Sequence, residues 1–376
     1  MDRPTAVTGA RRQRLEQLLV LAVPVLLIAW LAANTAANLK AKGVTTGFGF
    51  LAMPARMGIS EGFLPFVAGV DSYARVVAIG LCNTLFVSVL AIGIATVIGT
   101  AVGLSRLSGN WLLSRCAGTF VELVRNVPLP LQLLLWYQTL LNLPSPRTAI
   151  QFGGAYLSNR GLFFPTVSAA TTLWLVAALL LAVTLLVGLR AAGVSRRGWR
   201  RRLPALALSV VGAAAVLLAI GEVELDRPTL RGFNFSGGMA ISPELAALVL
   251  GLSIYAAAFV AEIVRASVVS VPRGQWEAGR ALGLPHGRIL RKIILPQALR
   301  LGLPALGNEY LSTIKNSSLA VIIGYPELAS LINTMASDTG QPIEAIAVLM
   351  VSYLTISLGV GWLLHRCEQR LALAQR

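Results

Sequence analysis

Long apolar blocks recur along this chain of 376 residues and restrict how it can fold. A stretch of about 18 or more apolar residues is long enough to cross the hydrocarbon core of a bilayer. Inside a bilayer the backbone must satisfy its own hydrogen bonds, so such blocks span it as helices. Only 13% of the residues are charged, whereas a soluble domain carries about a quarter. The sequence therefore predicts an all-α fold, a polytopic bundle of transmembrane helices.

The apolar blocks predict about eight spans, at residues 15–33, 76–104, 118–141, 166–189, 203–220, 245–264, 301–323 and 345–364. The third span contains Pro128 and Pro130, which remove backbone donors and predict a kink. The segments 34–75 and 221–244 are modest in length, and we expect loops or short interfacial helices there.

Residues 1–33 have two readings. Basic residues precede an apolar run and small residues follow it, as in a cleavable signal peptide. The apolar run is longer than the core of a usual signal peptide, which favours a retained helix. The sequence leaves open whether this segment is kept or removed.

The formal net charge of +16 is arranged in alternating segments. Most of the Lys and Arg residues lie before the first span, in 105–117, 190–202 and 265–300, and after residue 364. Most acidic residues lie in the opposite set of segments. Basic residues hold loops on the cytoplasmic side of a membrane, so both termini are predicted to be cytoplasmic. This alternation indicates lipid as the surroundings and argues against a nucleic-acid partner.

The sequence offers no pattern for catalysis or metal binding. The cysteines and histidines are isolated from one another, at Cys82, Cys116, Cys367, His286 and His365. No phosphate-binding G-x-x-x-x-G-K-[ST] loop is present, because no lysine follows a glycine. We therefore assign no catalytic residue, metal ligand or cofactor to this chain, which cannot be an ATPase.

The inside segment 265–300 contains the pattern of a docking element. Glu277–Leu282 can form a short helix that Gly283 breaks, and Pro285 starts a second helix. Apolar residues then recur at helical spacing, and the second helix is expected to end at Leu295-Pro296. Two short amphipathic helices can fit a groove on a soluble partner.

The spacing in this segment resembles the EAA loop of permease subunits of binding-protein-dependent ABC importers. That loop reads Glu-Ala-Ala, three residues, Gly, nine residues, Ile-x-Leu-Pro. The matching positions here are Glu277, Ala278, Gly279, Gly283, Ile293, Leu295 and Pro296. Gly279 departs from the family pattern, which usually has alanine. The resemblance implies that 277–296 is a coupling helix resting on an ATPase; the alternative is an ordinary amphipathic helix in the membrane interface.

Further segments resemble the polar amino-acid permeases of this superfamily, and above all the general L-amino-acid branch. They are SEGFLPFVAGVDSYARVVAIGLCNTL at 60–85, VELVRNVPLPLQLLLWY at 121–137 and LGNEYLSTIKNSSLAVIIGYPEL at 306–328. The resemblance implies an N-terminal span with an outside loop at 1–71 and an ABC permease domain at 72–366. Within that domain it implies an inserted helix pair at 166–220 and a coupling loop at 270–300.

The resemblance also implies a function. The chain would move amino acids, as a broad range of L-amino acids, across the bacterial cytoplasmic membrane by alternating access. Its partners would be ATPase subunits that bind ATP and Mg, a second related permease subunit, and a periplasmic or extracellular solute-binding protein.

Polar residues within the spans are costly and often functional. A permeation path is expected to include Lys315, Asn316, Ser317 and Ser318, with Asn126 and Gln132. In the alternative reading, the lysine reaches the interface along its stem and the serines satisfy a kinked backbone. Glu122 and Arg125 are three residues apart and are predicted to form an ion pair. Two further embedded acids, Glu262 and Glu309, rank below Lys315.

Two rival classes remain. A secondary transporter or channel would need no ATPase and no docking loop of this spacing. A structural or assembly protein of the membrane would need no embedded lysine or glutamate. Transport that depends on an ATPase separates the first rival, and transport of any substrate separates the second.

Overall fold

The computed structural model describes residues 5–41, 46–167 and 225–373, and it is mostly helical. Three described stretches are long and apolar enough to cross a membrane: Tyr73–Ser105, Pro243–Val269 and Pro342–Arg366. They coincide with the predicted spans 76–104, 245–264 and 345–364. The total of about eight spans stays a prediction, because residues 168–224, with most of the inserted helix pair, lie outside the described residues.

The described helices are α1 (Thr5–Ala41), α2 (Tyr73–Ser105), α3 (Trp111–Asn126), α4 (Leu129–Leu141), α5 (Pro243–Val269), α6 (Arg273–Ala281), α7 (His286–Ile289), α8 (Leu295–Asn316), α9 (Leu328–Thr339) and α10 (Pro342–Leu373). Shorter 3-10 turns cover Phe48–Ala52, Pro146–Thr148 and Ser317–Ile322, and a π turn covers Leu290–Ile294. The predicted first span, 15–33, lies within α1, and the predicted seventh, 301–323, is formed by α8 and the 3-10 turn after it.

The predicted third span is two helices and not one kinked helix. α3 ends at Asn126, and Val127 is extended, with φ −96° and ψ 124°. Val127 precedes Pro128, whose ring disfavours helical angles in the residue before it. Pro130 then lies in the first turn of α4, where a missing N–H costs nothing. The two prolines therefore break the helix instead of bending it.

Short antiparallel strands lie in the connection after α4, at the start of the predicted span 166–189 and in the segment 221–244. They are β1 (Ile150–Phe152), β2 (Ala155–Ser158), β3 (Gly161–Phe164), β4 (Thr166–Val167), β5 (Leu225–Asp226), β6 (Thr229–Arg231), β7 (Asn234–Ser236) and β8 (Met239–Ile241). β1, β2, β3 and β8 form one sheet in that order, while β4 pairs with β5 and β6 with β7. The expectation of loops or interfacial helices at 221–244 is therefore wrong from residue 225 onward.

Glycine turns explain the strands that sequence periodicity did not reveal. Phe152 pairs with Ala155, so Gly153 and Gly154 form a two-residue hairpin loop. Both glycines have positive φ, at 56° and 83°, as the tightest hairpin turns require. Strands of two to four residues are too short to show an alternating pattern.

The chain divides into two compact units. One comprises residues 1–89 and 270–376, and the other residues 90–269. In the first, residues of α2, α9 and α10 form the largest buried cluster, including Val76, Ile79, Leu328, Ile332 and Met335. Segment 46–72 covers this cluster through Phe50, Ala55 and Met57.

The second unit is held by small residues. A Cβ on Gly99 of α2 would lie 2.7 Å from the Ala257 carbonyl oxygen, and one on Gly103 2.6 Å from that of Ala261. Further toward the start of α5, Gly251 faces Leu133 of α4. Close approach of helix backbones through small residues is the usual way that membrane helices pack.

Candidate functional site

The predicted coupling loop folds as a helix, a glycine reversal and a second helix. Gly283 has φ +70°, and the Leu284 N–H donates to the Gly279 carbonyl at 3.2 Å. The Gly283 N–H donates to the Arg280 carbonyl at 2.9 Å. This pair of bonds is the Schellman closure of a helix end, which needs a left-handed residue at the position of Gly283. The prediction that Gly283 breaks the first helix agrees with this geometry.

The second helix does not end at Leu295-Pro296, as the sequence suggested. α7 begins after Pro285 and passes through the π turn Leu290–Ile294 directly into α8. Pro296 lies in the first turn of α8. In this continuous helix Pro296 cannot donate a backbone hydrogen bond, and it follows directly on the π turn, in which the Leu295 N–H donates to the Leu290 carbonyl. The loop is therefore continuous with the membrane helix that follows it.

The two arms of the loop pack against each other through Gly279 and Ile289. An ideal Cβ on residue 279 would lie 2.9 Å from Ile289 Cγ1, and Ile289 is buried. The Trp276 and His286 rings are stacked, with centroids 5.1 Å apart. Gln297 Nε2 donates to Gln275 Oε1 at 3.2 Å, which joins α6 to α8. The loop is thus braced on one side by its own residues.

The opposite side of the loop is exposed. Leu282, directly after α6, has 76% of its surface open. Glu277, Ala278 and Gly283 are exposed beside it, whereas Ile293 and Leu295 are half-buried. The exposed Leu282 and Glu277 lie on a loop whose two arms pack together, and such a surface is suited to binding in a groove of a partner protein.

Gln132 stabilises the break between α3 and α4. Its Nε2 donates to the carbonyl oxygens of Val124 and Val127, at 2.8 and 2.9 Å. These carbonyls lose their helical partners at the break, and the buried amide replaces them. Gln132 is therefore committed to the backbone, while Asn126 beside it is exposed.

In place of the predicted ion pair of Glu122 and Arg125, the structure has a cation–π contact. The Arg125 guanidinium carbon lies 5.1 Å from the centroid of the Phe259 ring on α5. Among the described residues, no ion pair involves Glu122, and both side chains are exposed. Arginine stacks on aromatic faces readily, and an exposed ion pair three residues apart gains too little to compete.

The polar run at 315–318 lies where α8 becomes a 3-10 turn. Ser317 Oγ donates to the Ile314 carbonyl at 2.7 Å, and Ser318 Oγ to that of Lys315 at 2.8 Å. The hydroxyls thus satisfy the helix end, as in the alternative reading of these serines. Lys315 is exposed, and Asn316 is half-buried.

Sequence reasoning missed an arginine–carboxylate cluster at the end of α2. Glu262 forms ion pairs with Arg106 through Oε2 and with Arg265 through Oε1, the latter at 2.5 Å. Arg265 is three residues after Glu262 on α5, a spacing that signals a helical pair. Arg106 is distant from Glu262 in sequence, so no local pattern predicts their ion pair. The cluster ties the end of α2 to α5.

A second network, also missed, surrounds Glu327 at the start of α9. Its carboxylate is completely buried and accepts hydrogen bonds from the Ser330 N–H, the Tyr353 hydroxyl and the Thr84 hydroxyl. Burial raises the pKa of this carboxyl above its usual value, although the hydrogen bonds lower it in part. Burial likewise raises the pKa of Tyr325. The sequence placed Glu327 only among the acids of an outside segment.

In the described ranges, no three His, Cys, Asp or Glu side chains are grouped as metal ligands. The candidate site of the first unit is therefore the exposed face of the braced loop, with the polar residues at the end of α8, and the second unit has its own polar residues at the α3–α4 break. Such a site can bind and reposition partners.

Comparison with known proteins gives consistent relationships over most of the chain. Residues 95–373 match the family described as binding-protein-dependent transport system inner membrane component. The putative amino-acid ABC transporter permease protein YhdX of Escherichia coli (strain K12) is 44% identical over 97% of this chain and 95% of its own length. The general L-amino acid transport system permease protein AapQ of Rhizobium johnstonii is 36% identical, over 96% and 92%.

A crystal structure described as an amino acid ABC transporter with histidines has the same fold. It has a TM-score of 0.50 and 24% identity, and covers 79% of this chain and 95% of its own. Permeases of this kind sit in the inner membrane and are not catalytic, because a separate subunit is the ATPase. The chain belongs to the family of binding-protein-dependent transport system inner membrane components, among the permease subunits of amino-acid ABC transporters.

Proposed function

We propose that this permease subunit carries a broad range of L-amino acids into the cell by alternating access. The names of two relatives that align over almost their whole length support the substrate class, since one is a putative amino-acid permease and the other a general L-amino-acid permease. The spans open toward a loaded binding protein on the outer side and then toward the cytoplasm. Both termini are cytoplasmic in this proposal, in accordance with the distribution of basic residues.

The braced loop is the observation that carries the proposal. Gly279 and Ile289 lock its two arms together, and α7 continues without interruption into α8. A force applied to the exposed face around Leu282 therefore reaches a membrane helix directly. An ATPase subunit that binds ATP and Mg would dock on this face and move α8 as it closes.

A second permease subunit completes the transporter. This chain supplies one coupling loop, and two ATPase subunits that close on each other need two. A related but distinct permease is the partner that we propose, with a homodimer as the other outcome of the test below.

The path for the substrate passes the end of α8. Lys315 and Asn316 present a cation and an amide that suit the carboxylate of an amino acid, with Ser318 next to them. Ser317 is buried and supports the turn. In the second unit we propose Asn126, an exposed amide at the α3–α4 break, as a further residue of the path, and Gln132 stabilises that break.

Uptake by reconstituted transporters tests the proposal. Proteoliposomes would contain this chain, a candidate partner permease, the ATPase and the binding protein, and would be offered labelled amino acids with ATP. Several L-amino acids should enter, and Gly283→Asp should reduce uptake because a side chain at this left-handed angle costs free energy and the carboxylate adds charge to the exposed face. Gly274→Ala is a matched control in the same loop, since nothing lies within 4 Å of its added carbon.

The alternatives have distinct outcomes. Uptake that persists without the ATPase, or that is the same in Gly283→Asp as in the wild type, would identify a secondary transporter. Full activity without a partner permease would identify a homodimer. Lys315→Ala should reduce uptake far more than the amount of inserted protein, and unchanged uptake kinetics in that variant would remove Lys315 from the path.

A further inference from the structure

Glu327 is a carboxylate buried without a cationic partner. None of its surface is exposed, and within the described residues no Lys or Arg forms an ion pair with it. Its donors are the Ser330 N–H at 2.8 Å, the Tyr353 hydroxyl at 3.0 Å and the Thr84 hydroxyl at 3.3 Å. A buried acid costs free energy, and an apolar side chain of similar size would fill the same space without that cost. The carboxylate must therefore do more than occupy volume.

One turn of α2 holds the segment before α9. Asn83 Nδ2 donates to the Pro326 carbonyl at 2.7 Å, and the Leu328 N–H donates to Thr84 Oγ1 at 3.1 Å. Gly80, on the same face of α2, lets the backbone approach so closely that a Cβ there would lie 2.8 Å from Leu328 Cα. Residues 326–328 are thus fixed to α2 through backbone groups, and the Thr84 hydroxyl also donates to the Glu327 side chain.

The other side of the network leads to the end of α8. Tyr353, on α10, donates to Glu327 Oε2, and α9, which begins directly after Glu327, packs against the turn Ser317–Ile322. Ser317 opens the 3-10 turn Ser317–Ile322 and bonds to the Ile314 carbonyl. Polar contacts therefore run from α2 through Glu327 to Tyr353, and the packing of α9 connects this network to the turn that follows Lys315 and Asn316.

We propose that Glu327 is a positioning residue for translocation, which fixes the turn Ser317–Ile322 and with it Lys315 and Asn316. The inference rests on the proposed substrate path at the end of α8. A carboxyl group suits the task because its two oxygens contact a backbone N–H and two hydroxyls at the same time. Glutamine offers one acceptor oxygen and can donate to a hydroxyl, so it preserves part of the arrangement.

The coupling ratio, which is the number of substrate molecules moved per ATP hydrolysed, tests this role. The complete transporter would be assayed in proteoliposomes with saturating, loaded binding protein. A variant with less folded protein has lower uptake and lower ATP hydrolysis in the same proportion. A variant in which the residues of the substrate path are displaced moves fewer substrate molecules per ATP hydrolysed. We expect Glu327→Ala to lower the ratio about fivefold, as expected for one hydrogen bond of ordinary strength. Glu327→Gln should restore most of the ratio.

Tyr353→Phe should lower the ratio in the same direction, and should add little to Glu327→Ala because the two residues act in one network. Tyr73→Phe is the matched control. It removes a tyrosine–carboxylate hydrogen bond to Asp338 in the same unit, away from the turn, and should leave the ratio unchanged. If Glu327→Ala fails to insert, Glu327→Gln and Tyr353→Phe decide the matter, with a lowered ratio expected for Tyr353→Phe.

Two failures can be told apart. If the wild-type transporter moves no amino acid with ATP, the proposed function is wrong. If the wild type takes up amino acids and Glu327→Ala has the same coupling ratio as the wild type, then Glu327 only supports the fold and the positioning role is wrong. If the alanine variant does not insert, the same conclusion follows from an unchanged coupling ratio in Tyr353→Phe.

Discussion

The side chain of Ile289 occupies the space that a Cβ on residue 279 would need. The ideal position for that carbon is 2.9 Å from Ile289 Cγ1, 3.0 Å from Cγ2 and 3.1 Å from Cδ1. The family pattern usually has alanine where this chain has Gly279. Glycine and isoleucine are therefore a matched pair across the two arms of the coupling loop.

This pairing predicts the effect of Gly279→Ala, although alanine is the better helix former. The isoleucine must shift to accept the methyl group, which changes how the two arms meet. We expect uptake to fall about two- to threefold, in keeping with modest overpacking. Adding Ile289→Val, which shortens the opposing side chain, should restore uptake. The measurement is ATP-dependent uptake in proteoliposomes.

Gly274→Ala serves as the control for helix propensity, because it lies on the same helix with nothing within 4 Å. It should leave uptake unchanged or slightly higher. A fall in uptake for Gly279→Ala that Ile289→Val does not relieve would disprove the pairing.

Local patterns predicted this loop well and the buried networks poorly. Gly283 and the apolar spacing of the second helix are visible within twenty residues, and so the reversal could be placed from sequence. Glu327 meets Thr84 across more than two hundred residues, and Arg106 meets Glu262 across more than one hundred. No local pattern carries such pairings. A charged or polar residue inside an apolar segment shows that a partner is needed but does not identify the partner.

Glu262 gives a second prediction. Its carboxylate joins Arg106 and Arg265, and all three side chains are largely withdrawn from water. Glu262→Gln leaves two arginines without their counter-ion. We expect the transporter to lose about 1–3 kcal/mol of stability, less than for a fully buried pair. Thermal unfolding of the purified complex in detergent would show the loss.

Glu122→Gln is a matched control on α3, because that side chain is exposed and forms no ion pair among the described residues. Its unfolding midpoint should equal that of the wild type. Equal midpoints for Glu262→Gln and Glu122→Gln would mean that the cluster contributes nothing.

The glycines of α2 give a third prediction. A Cβ on Gly99 would lie 2.7 Å from the Ala257 carbonyl oxygen, and a backbone atom cannot move aside as a side chain can. Gly99→Ala should therefore push α2 from α5 and cost about 1–3 kcal/mol. Gly93→Ala on the same helix meets nothing within 4 Å and should be neutral or stabilising. Similar amounts of inserted protein and similar midpoints for the two variants would contradict this view of the packing.

The raised pKa of Glu327 gives a prediction for pH. Because burial raises this pKa above the usual value of 4.5, the folded protein holds a proton that the unfolded chain releases. Stability from this residue is therefore complete below about pH 4.5 and is lost as pH rises toward the folded-state pKa, by about 1.4 kcal/mol per pH unit. Glu327→Gln cannot titrate, so its unfolding midpoint should rise relative to that of the wild type as pH increases above 4.5. Tyr353→Phe removes a hydrogen bond that lowers the pKa of Glu327, so in this variant the loss of stability should continue to higher pH. Midpoints of wild type and Glu327→Gln that stay parallel from pH 4.5 to 8 would show that the carboxyl is ionised throughout.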